Sequence, residues 1–282
     1  MALLKEFAGF RASPQIQRKL ERIFHHPAEL ATFIKEVEKD PYRGDLIALV
    51  EDLTNHETYF FRERAHLDAL ENILLPRLIE EKRHQSGIKK ITLWSAACAT
   101  GEEAYTLVMI TLRVLKAHGI GQQSTAGDIT LPPDWKLDVI GTDISRQAVR
   151  IAKDARYTSR KEGLSSFRQF PPDYFGFFNE ITAPAPASDR QTYNIKPCVT
   201  RHTRFEHFNL MNKSGAPRDV DIIFCRNVLI YMDIESQKTI IRSLFQALKP
   251  GGHLILSLVD AMSVPQLFKE NRQNRCVIYA KP

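Results

Sequence analysis

The stretch Trp94-Ser95-Ala96-Ala97-Cys98-Ala99-Thr100-Gly101-Glu102-Glu103-Ala104-Tyr105 decides the fold. It continues an apolar run that begins at Ile91, passes through a turn of small residues, and opens a segment with Leu107, Val108, Ile110, Leu112 and Leu115 at helical spacing. Strand, tight turn and helix in that order predict one unit of an open parallel sheet. The turn then lies at the carboxyl ends of the strands, where small residues let a ligand approach the backbone. Glu102 and Glu103 bear on which ligand, because two carboxylates at a helix start would repel a pyrophosphate. A cationic ligand without phosphate suits them. S-adenosylmethionine has an ammonium, a sulfonium and ribose hydroxyls, and it has no phosphate. The same glutamates would also simply complement the helix dipole, so the turn alone leaves both readings open.

Outward from the turn, residues 88–282 alternate strand-like and helix-like patterns, which predicts an α/β fold with a mainly parallel sheet. A second strand at residues 137–142 ends in Asp143, placed to accept both hydroxyls of a ribose. Asp143 stands farther from the glycine turn than the roughly 20 residues of a dinucleotide fold, because residues 117–135 form an insertion. It also suits the N-cap of the following helix. Residues 221–231 are the clearest buried strand and put Arg226, Asn227 and Tyr231 near the ligand edge. An amphipathic helix at 235–249, a turn at Pro250-Gly251-Gly252, a strand at 253–259 and a last strand at 276–280 complete the sheet. Residues 193–208 alternate enough to be strands, Phe167, Phe170, Tyr174, Phe175, Phe177 and Phe178 gather just before them, and the proline-rich stretch 183–188 reads as a surface loop.

The first part reads as short helices. Ser13-Pro14 offers an N-cap and a first-turn proline before Ile16, Leu20, Ile23 and Phe24; a second helix starts at Pro27 and a third runs over 45–53. A longer pattern through Leu67, Leu70, Ile73, Leu74 and Leu78 is broken or kinked near Pro76 and ends in a polar stretch, 82–87, that marks a boundary. The expected division is a helical domain with connecting helix at 1–84 and a catalytic domain at 85–282. With 282 residues, 43% hydrophobic and 26% charged, there is room for both cores. No apolar run reaches membrane-spanning length and no signal-like segment opens the chain, so a cytoplasmic protein without membrane insertion is expected. The four cysteines form no metal-ligand spacing and read as structural thiols; no metal is expected. The net charge of +6 comes chiefly from residues 146–213, where twelve Lys and Arg face six Asp and Glu. Such a surplus attracts an acidic partner or is an ordinary solvated face.

Thr58-Tyr59-Phe60-Phe61-Arg62, the turn 94–105, Thr142-Asp143-Ile144-Ser145, Phe208-Asn209-Leu210 and residues 224–231 occur in the order found in chemotaxis receptor methyltransferases, and the chain resembles that CheR family. The likeness runs from about residue 45 to the C-terminus, with the earlier helices similar to a shortened form of the family's small N-terminal domain. It implies a class I S-adenosylmethionine-dependent fold, Rossmann-like, with a small inserted β-subdomain near 190–206. It also implies methyl transfer to glutamate side chains of chemoreceptor cytoplasmic helices, with S-adenosylhomocysteine as product. Carried over by motif, Thr58, Arg62, Ala96, Glu103, Asp143, Asn209, Leu210, Arg226 and Asn227 fall on cofactor-binding positions, while Arg62 and Tyr231 fall beside the transferred methyl as catalytic residues. His56 takes a cofactor position where the family usually has Asn. The chain also reads Ser257-Leu258-Val259-Asp260 where the family usually shows Gly-His-Ser-Glu. The family docks its receptor through a basic N-terminal helix, for which Arg11, Arg18, Lys19 and Arg22 stand here.

The chemistry is consistent with that implication. A glutamate carboxylate, which ordinarily titrates at about 4.3, is already an anionic nucleophile at neutral pH and needs no general base. Two other classes stay open on sequence: a regulatory protein that keeps the cofactor fold with little turnover, suggested by the altered 257–260 segment, and a methyltransferase for a non-receptor substrate. A nucleic-acid substrate is not expected, because the Asn/Asp-Pro-Pro-aromatic type of motif used on exocyclic base amines is missing.

Overall fold

Four short apolar runs alternate their side chains between two cores and build the centre of the fold. Ile91 and Leu93 enter one core while Trp94 and Ala96 enter the other; Val139 and Ile140, Ile222 and Ile223, and Leu254 and Ile255 divide in the same way. This period of two on strands buried on both faces defines a sheet sandwiched between helical layers. The computed structural model describes residues 1–39, 44–54, 57–160, 166–181, 190–212, 214–273 and 276–282.

In chain order, helices α1 (Ala2–Ala8), α2 (Pro14–Ile23), α3 (Pro27–Lys39) and α4 (Gly44–Leu53) come first. Then follow α5 (Arg64–Ala69), α6 (Leu75–Arg83), strand β1 (Lys89–Ala96), α7 (Glu102–Ala117), β2 (Gln122–Gln123), β3 (Ile129–Thr130), β4 (Trp135–Asp143), α8 (Arg146–Asp154) and β5 (Arg156–Arg160). The remainder is β6 (Phe178–Ile181), β7 (Arg190–Ile195), α9 (Pro197–Thr200), β8 (Thr203–His207), β9 (Val220–Cys225), α10 (Ile234–Ala247), β10 (Leu248–Leu256), β11 (Lys269–Gln273) and β12 (Cys276–Ala280). Among the described residues the main sheet has seven strands, in the order β11-β12-β10-β9-β1-β4-β8. The strands from β10 across to β8 run parallel, and β12 and β11 add antiparallel at the other edge. The chain order reverses beside β1, which opens a crevice at the carboxyl ends of β1, β4 and β9.

Ser13 caps α2 by accepting the Ile16 N–H, as its position before Pro14 predicts. Helices α1 to α4 share a core of Leu4, Ala8, Phe10, Ile16, Val37, Leu46, Leu49, Val50 and Leu53. The α-helical pattern is broken just before Pro76, as the sequence predicts. A π-helical turn at Leu70–Leu74 joins α5 to α6 and takes up the missing proline donor, and the buried residues of this long helix pack into the core of the sheet.

Several boundaries differ from the sequence pattern. The three-stranded antiparallel sheet is made by β5, β7 and β6, so the subdomain begins near residue 156; β8, inside the expected 190–206 insertion, is instead the parallel edge strand beside β4. Both stretches alternate, and alternation cannot say which sheet a strand joins. The strand expected to run to residue 259 stops at Leu256, and Ser257 begins a turn closed by an Asp260 N–H to Ser257 carbonyl bond. Pro250-Gly251-Gly252 lies within β10 at a register shift between Leu248 and His253. Helix α1, strand β11 and the small β2–β3 hairpin in the 117–135 insertion carried no pattern strong enough to predict. All four cysteines are buried free thiols, in keeping with a structural role.

Candidate active site

The turn after β1 is a strained backbone held by its neighbours. Ala97 and Ala99 have φ of 65° and 48°, and Gly101 has φ of 97°. A Cβ on Gly101 would sit 2.8 Å from the Ala152 Cβ, so both conformation and space require glycine there. The Cys98 N–H donates to the Thr142 carbonyl at 2.9 Å, and the Tyr157 hydroxyl donates to the Thr100 carbonyl at 2.7 Å. The Asp143 carboxylate accepts the Ala99 N–H at 2.8 Å through one oxygen and the Ser145 N–H at 2.9 Å through the other. Asp143 is therefore the anchor of the turn rather than a helix cap; Ser145 caps α8.

The two glutamates separate. Glu102 is fully buried, receiving hydrogen bonds from the Thr100 and Ser166 hydroxyls, and burial pushes its carboxyl up against those bonds. Glu103 lines the cleft, accepting the Ser95 hydroxyl at 2.6 Å and the Arg226 Nε at 2.7 Å. Arg226, itself buried, also donates to the Arg62 carbonyl at 2.8 Å, joining the α5 approach to the end of β9.

Arg62 reaches the cleft because the two residues before it are anchors. Phe60 packs on Tyr157 with ring centroids 4.9 Å apart, and Phe61 packs on Tyr174 at 4.4 Å, while the Arg62 guanidinium donates to the Glu57 carbonyl at 2.7 Å. The aromatic run 167–178 thus supplies the bed on which the arginine loop rests. Tyr231, which also lines the cleft, ends a 3-10 turn, Leu229–Tyr231, and packs against the helical core.

These elements enclose a cleft with about 970 Å³ of empty space, its open mouth included. Thr58, Arg62, Glu103, Asp143, Asn209, Leu210, Arg226, Asn227 and Tyr231 all line it. Ala96 does not: it is buried in the sheet, and the next three residues, Ala97 to Ala99, form the wall. His56 lies outside the described residues. Ser257 to Asp260, the departure noted in the sequence, is absent from the lining and stands behind Asn227.

Sequence reasoning missed the contribution of the N-terminus. Ala8 and Phe10 line the cleft; the Asn209 side-chain amide donates to the Phe7 carbonyl at 2.6 Å; the Arg11 N–H donates to the Tyr231 carbonyl at 2.9 Å. Between them Gly9 has φ of 73°, and a Cβ there would lie 2.9 Å from the Ser236 Cβ. The glycine was the one available signal.

The lining suits S-adenosylmethionine. Asp143 offers a carboxylate for ribose hydroxyls, Ile144, Phe208, Leu210 and Met211 give an apolar wall for a purine, and Glu103 supplies negative potential toward a cation. The Cys98 thiol is pushed well above its ordinary range by burial and by the charges of Asp143 and Glu103, so it stays protonated. A doubly wound sheet with this crevice and these groups defines a class I S-adenosylmethionine-dependent methyltransferase.

Residues 56–277 match the family model described as CheR methyltransferase, SAM binding domain, and the chain belongs to that family. It is similar to the chemotaxis protein methyltransferase Cher2 of Pseudomonas putida, with 25% identity over 93% of this chain and 85% of the relative. The chemotaxis protein methyltransferase of Vibrio anguillarum is 30% identical over 89% of this chain and 81% of its own, and that of Escherichia coli 31% identical over 79% and 66%.

Proposed function

We propose that this methyltransferase forms methyl esters on glutamate side chains of chemoreceptor cytoplasmic helices, and that it works in the cytoplasm. The observation that carries the reading is the cleft itself: Arg62 and Tyr231 share its wall with Asp143 and Glu103, and neither histidine nor lysine is among its described lining residues. A carboxylate substrate needs no general base, so such a lining is sufficient for it.

The bound S-adenosylmethionine supplies an electrophilic methyl group on a sulfonium. The chain's own residues bind and orient. Asp143 holds the ribose, Glu103 with Arg226 sets the charge beside the amino-acid part, and Asn209 and Asn227 add polar contacts. Arg62 offers a fixed fork of donors to the incoming carboxylate, with Tyr231 opposite. Alignment of this kind supplies roughly 7 to 11 kcal/mol. A grip too tight on the attacking oxygen would stabilise the ground state, so one arginine shared with the Glu57 carbonyl suits turnover.

An acidic receptor helix calls for positive charge near the cleft. Arg18 and Arg22 on α2 and Arg150 and Lys153 on α8 are exposed. Lys19 is already engaged, its ammonium donating to the carbonyls of Asp52, Leu53 and Thr54 at the end of α4, so it serves helix capping before docking. Arg160 and Lys161 of the basic block lie outside the described side chains. The test is transfer of labelled methyl from S-adenosylmethionine to receptor, RNA and DNA in parallel. Label in the receptor alone, falling with added salt at subsaturating receptor, is the expected result; label in nucleic acid alone would overturn the reading.

A further inference from the structure

We propose that Glu63 and Asp260, neither of which lines the cleft, are positioning residues that clamp Asn227 from two sides and so fix the wall turn from Asn227 to Tyr231. Asn227 has φ of 57°, a left-handed conformation at the residue where β9 turns into the cleft wall. Asparagine tolerates that conformation but does not prefer it, so something must hold it. Two carboxylates do. The Asn227 N–H donates to Asp260 Oδ2 at 2.6 Å and the Ile230 N–H to Asp260 Oδ1 at 3.1 Å, so one carboxylate spans both ends of the turn. Ser257 steadies it, its hydroxyl donating to the same Oδ2. From the other side, the Asn227 side-chain amide donates to Glu63 Oε1 at 2.9 Å.

Each carboxylate is itself fixed. Asp260 is 8% exposed, and burial pushes its carboxyl up while the four donors around it pull the other way. Glu63 has a left-handed backbone of its own, φ 54°, at the start of α5; its Oε2 lies 2.9 Å from His66 Nδ1 and 3.7 Å from Arg226 Nη1. Burial pushes the Glu63 carboxyl up, but the nearby His66 ring, the bond from the Asn227 amide and the Arg226 charge outweigh it and hold it at about 2. The clamp therefore ties three parts of the chain, the arginine loop after Arg62, the end of β9 and the turn after β10, to one asparagine. Its consequence is that Arg62 and Tyr231, which both line the cleft, are set relative to each other through Glu63, Asn227 and Asp260. This rests on the proposed roles of Arg62 and Tyr231 only for its catalytic meaning.

The test uses the full chain with Asp260→Asn, Glu63→Ala and the double variant. Three quantities are measured: affinity for S-adenosylhomocysteine by calorimetry, exchange of the Asn227 and Ile230 amides in ligand-free protein, and melting. Each single variant is expected to weaken S-adenosylhomocysteine binding at least tenfold and to speed exchange of those amides at least tenfold, with exchange in β9 unchanged. In the double variant the loss should be smaller than the product of the two single losses, because both act on one residue. Unchanged affinity and exchange in both single variants, exchange that rises equally through β9, or a fully multiplicative double loss would each overturn the clamp. If Asp260→Asn does not fold, Glu63→Ala decides on the same readouts. Amide exchange is read without ligand, so a failure of the substrate assignment leaves this result intact.

Discussion

Asp143→Ala separates the turn-anchoring job that the structure gives to this carboxylate from the ribose contact proposed for it. The side chain accepts the Ala99 and Ser145 N–H groups, and an ionised carboxylate offers about four acceptor positions, so it can serve backbone and ribose together. Hydrogen bonds to a charged acceptor contribute roughly 1.5 to 3 kcal/mol each; two ribose hydroxyls sharing one carboxylate add less than fully, so a loss of about 3 kcal/mol in binding is expected. That corresponds to roughly 150-fold weaker affinity. The same variant leaves two backbone donors without their acceptor, at about 1 to 3 kcal/mol each before the turn relaxes, and melting should fall by roughly 5 to 10 °C. Titration calorimetry with S-adenosylhomocysteine, run well below the variant's melting temperature, measures the first effect and calorimetric melting the second. Asp143→Asn keeps one acceptor oxygen and should fall between. A folded Asp143→Ala protein that binds within threefold of the parent would place the ribose elsewhere and refute the reasoning.

The two glutamates of the turn should behave oppositely in stability measurements by urea unfolding. Glu102→Gln, replacing a carboxyl that burial already pushes toward neutrality, should change stability by no more than about 1 kcal/mol, whereas Glu103→Gln leaves the buried Arg226 without its charged partner and should lose roughly 3 kcal/mol, the low end for a broken buried pair because Glu63 remains nearby. Gly9→Val, with a Cβ only 2.9 Å from the Ser236 Cβ, should lift Ala8 and Phe10 from the cleft, weakening S-adenosylhomocysteine binding and speeding proteolysis before residue 14. The Glu63 carboxyl, held at about 2, stabilises the fold fully above its unfolded value near 4.5 and loses that contribution as pH falls toward 2. The stability difference between the parent and Glu63→Gln should therefore shrink on acidification below about pH 4.5. Arg62→Ala should lose turnover at saturating substrates while melting within a few degrees of the parent, since the arginine is a half-buried cleft residue outside every core cluster.

The parallel sheet was legible because its central strands are buried on both faces, and runs such as 91–94, broken only by Thr92, and 222–225 carry that burial as mostly apolar sequence. The cleft-lining positions Asp143, Arg226 and Asn227 were legible for a related reason, because each ends or follows such a run, whereas Thr58 and Arg62, which precede α5, came only from the resemblance to a known family. Where several elements compete for one pattern, the sequence fell short. β7 and β8 both fall in the alternating stretch, and only tertiary pairing assigns one to the small sheet and the other to the large. Helix α1 is seven residues long, too short for a periodic signal, yet its last turn and the backbone that follows close the cleft through Phe7, Gly9 and Arg11. Glu102 and Glu103 are adjacent and chemically alike, but one helical position turns the first into the core and the second toward the ligand. Asp260 was noticed only as a departure from a motif; its partners are backbone N–H groups, which no side-chain pattern reveals.

The central claim is methyl transfer to glutamate carboxylates, and the most direct measurement is the site and chemistry of the transferred label. Purified protein is incubated with methyl-labelled S-adenosylmethionine and chemoreceptor cytoplasmic fragments, and the labelled receptor is mapped by peptide mass spectrometry before and after mild base. Label on glutamate residues of the helical region, released as methanol by base and lost when those glutamates are replaced by alanine, is the predicted result. Base-stable label, label on any other residue type, or a receptor that remains unlabelled while S-adenosylmethionine is bound would contradict it.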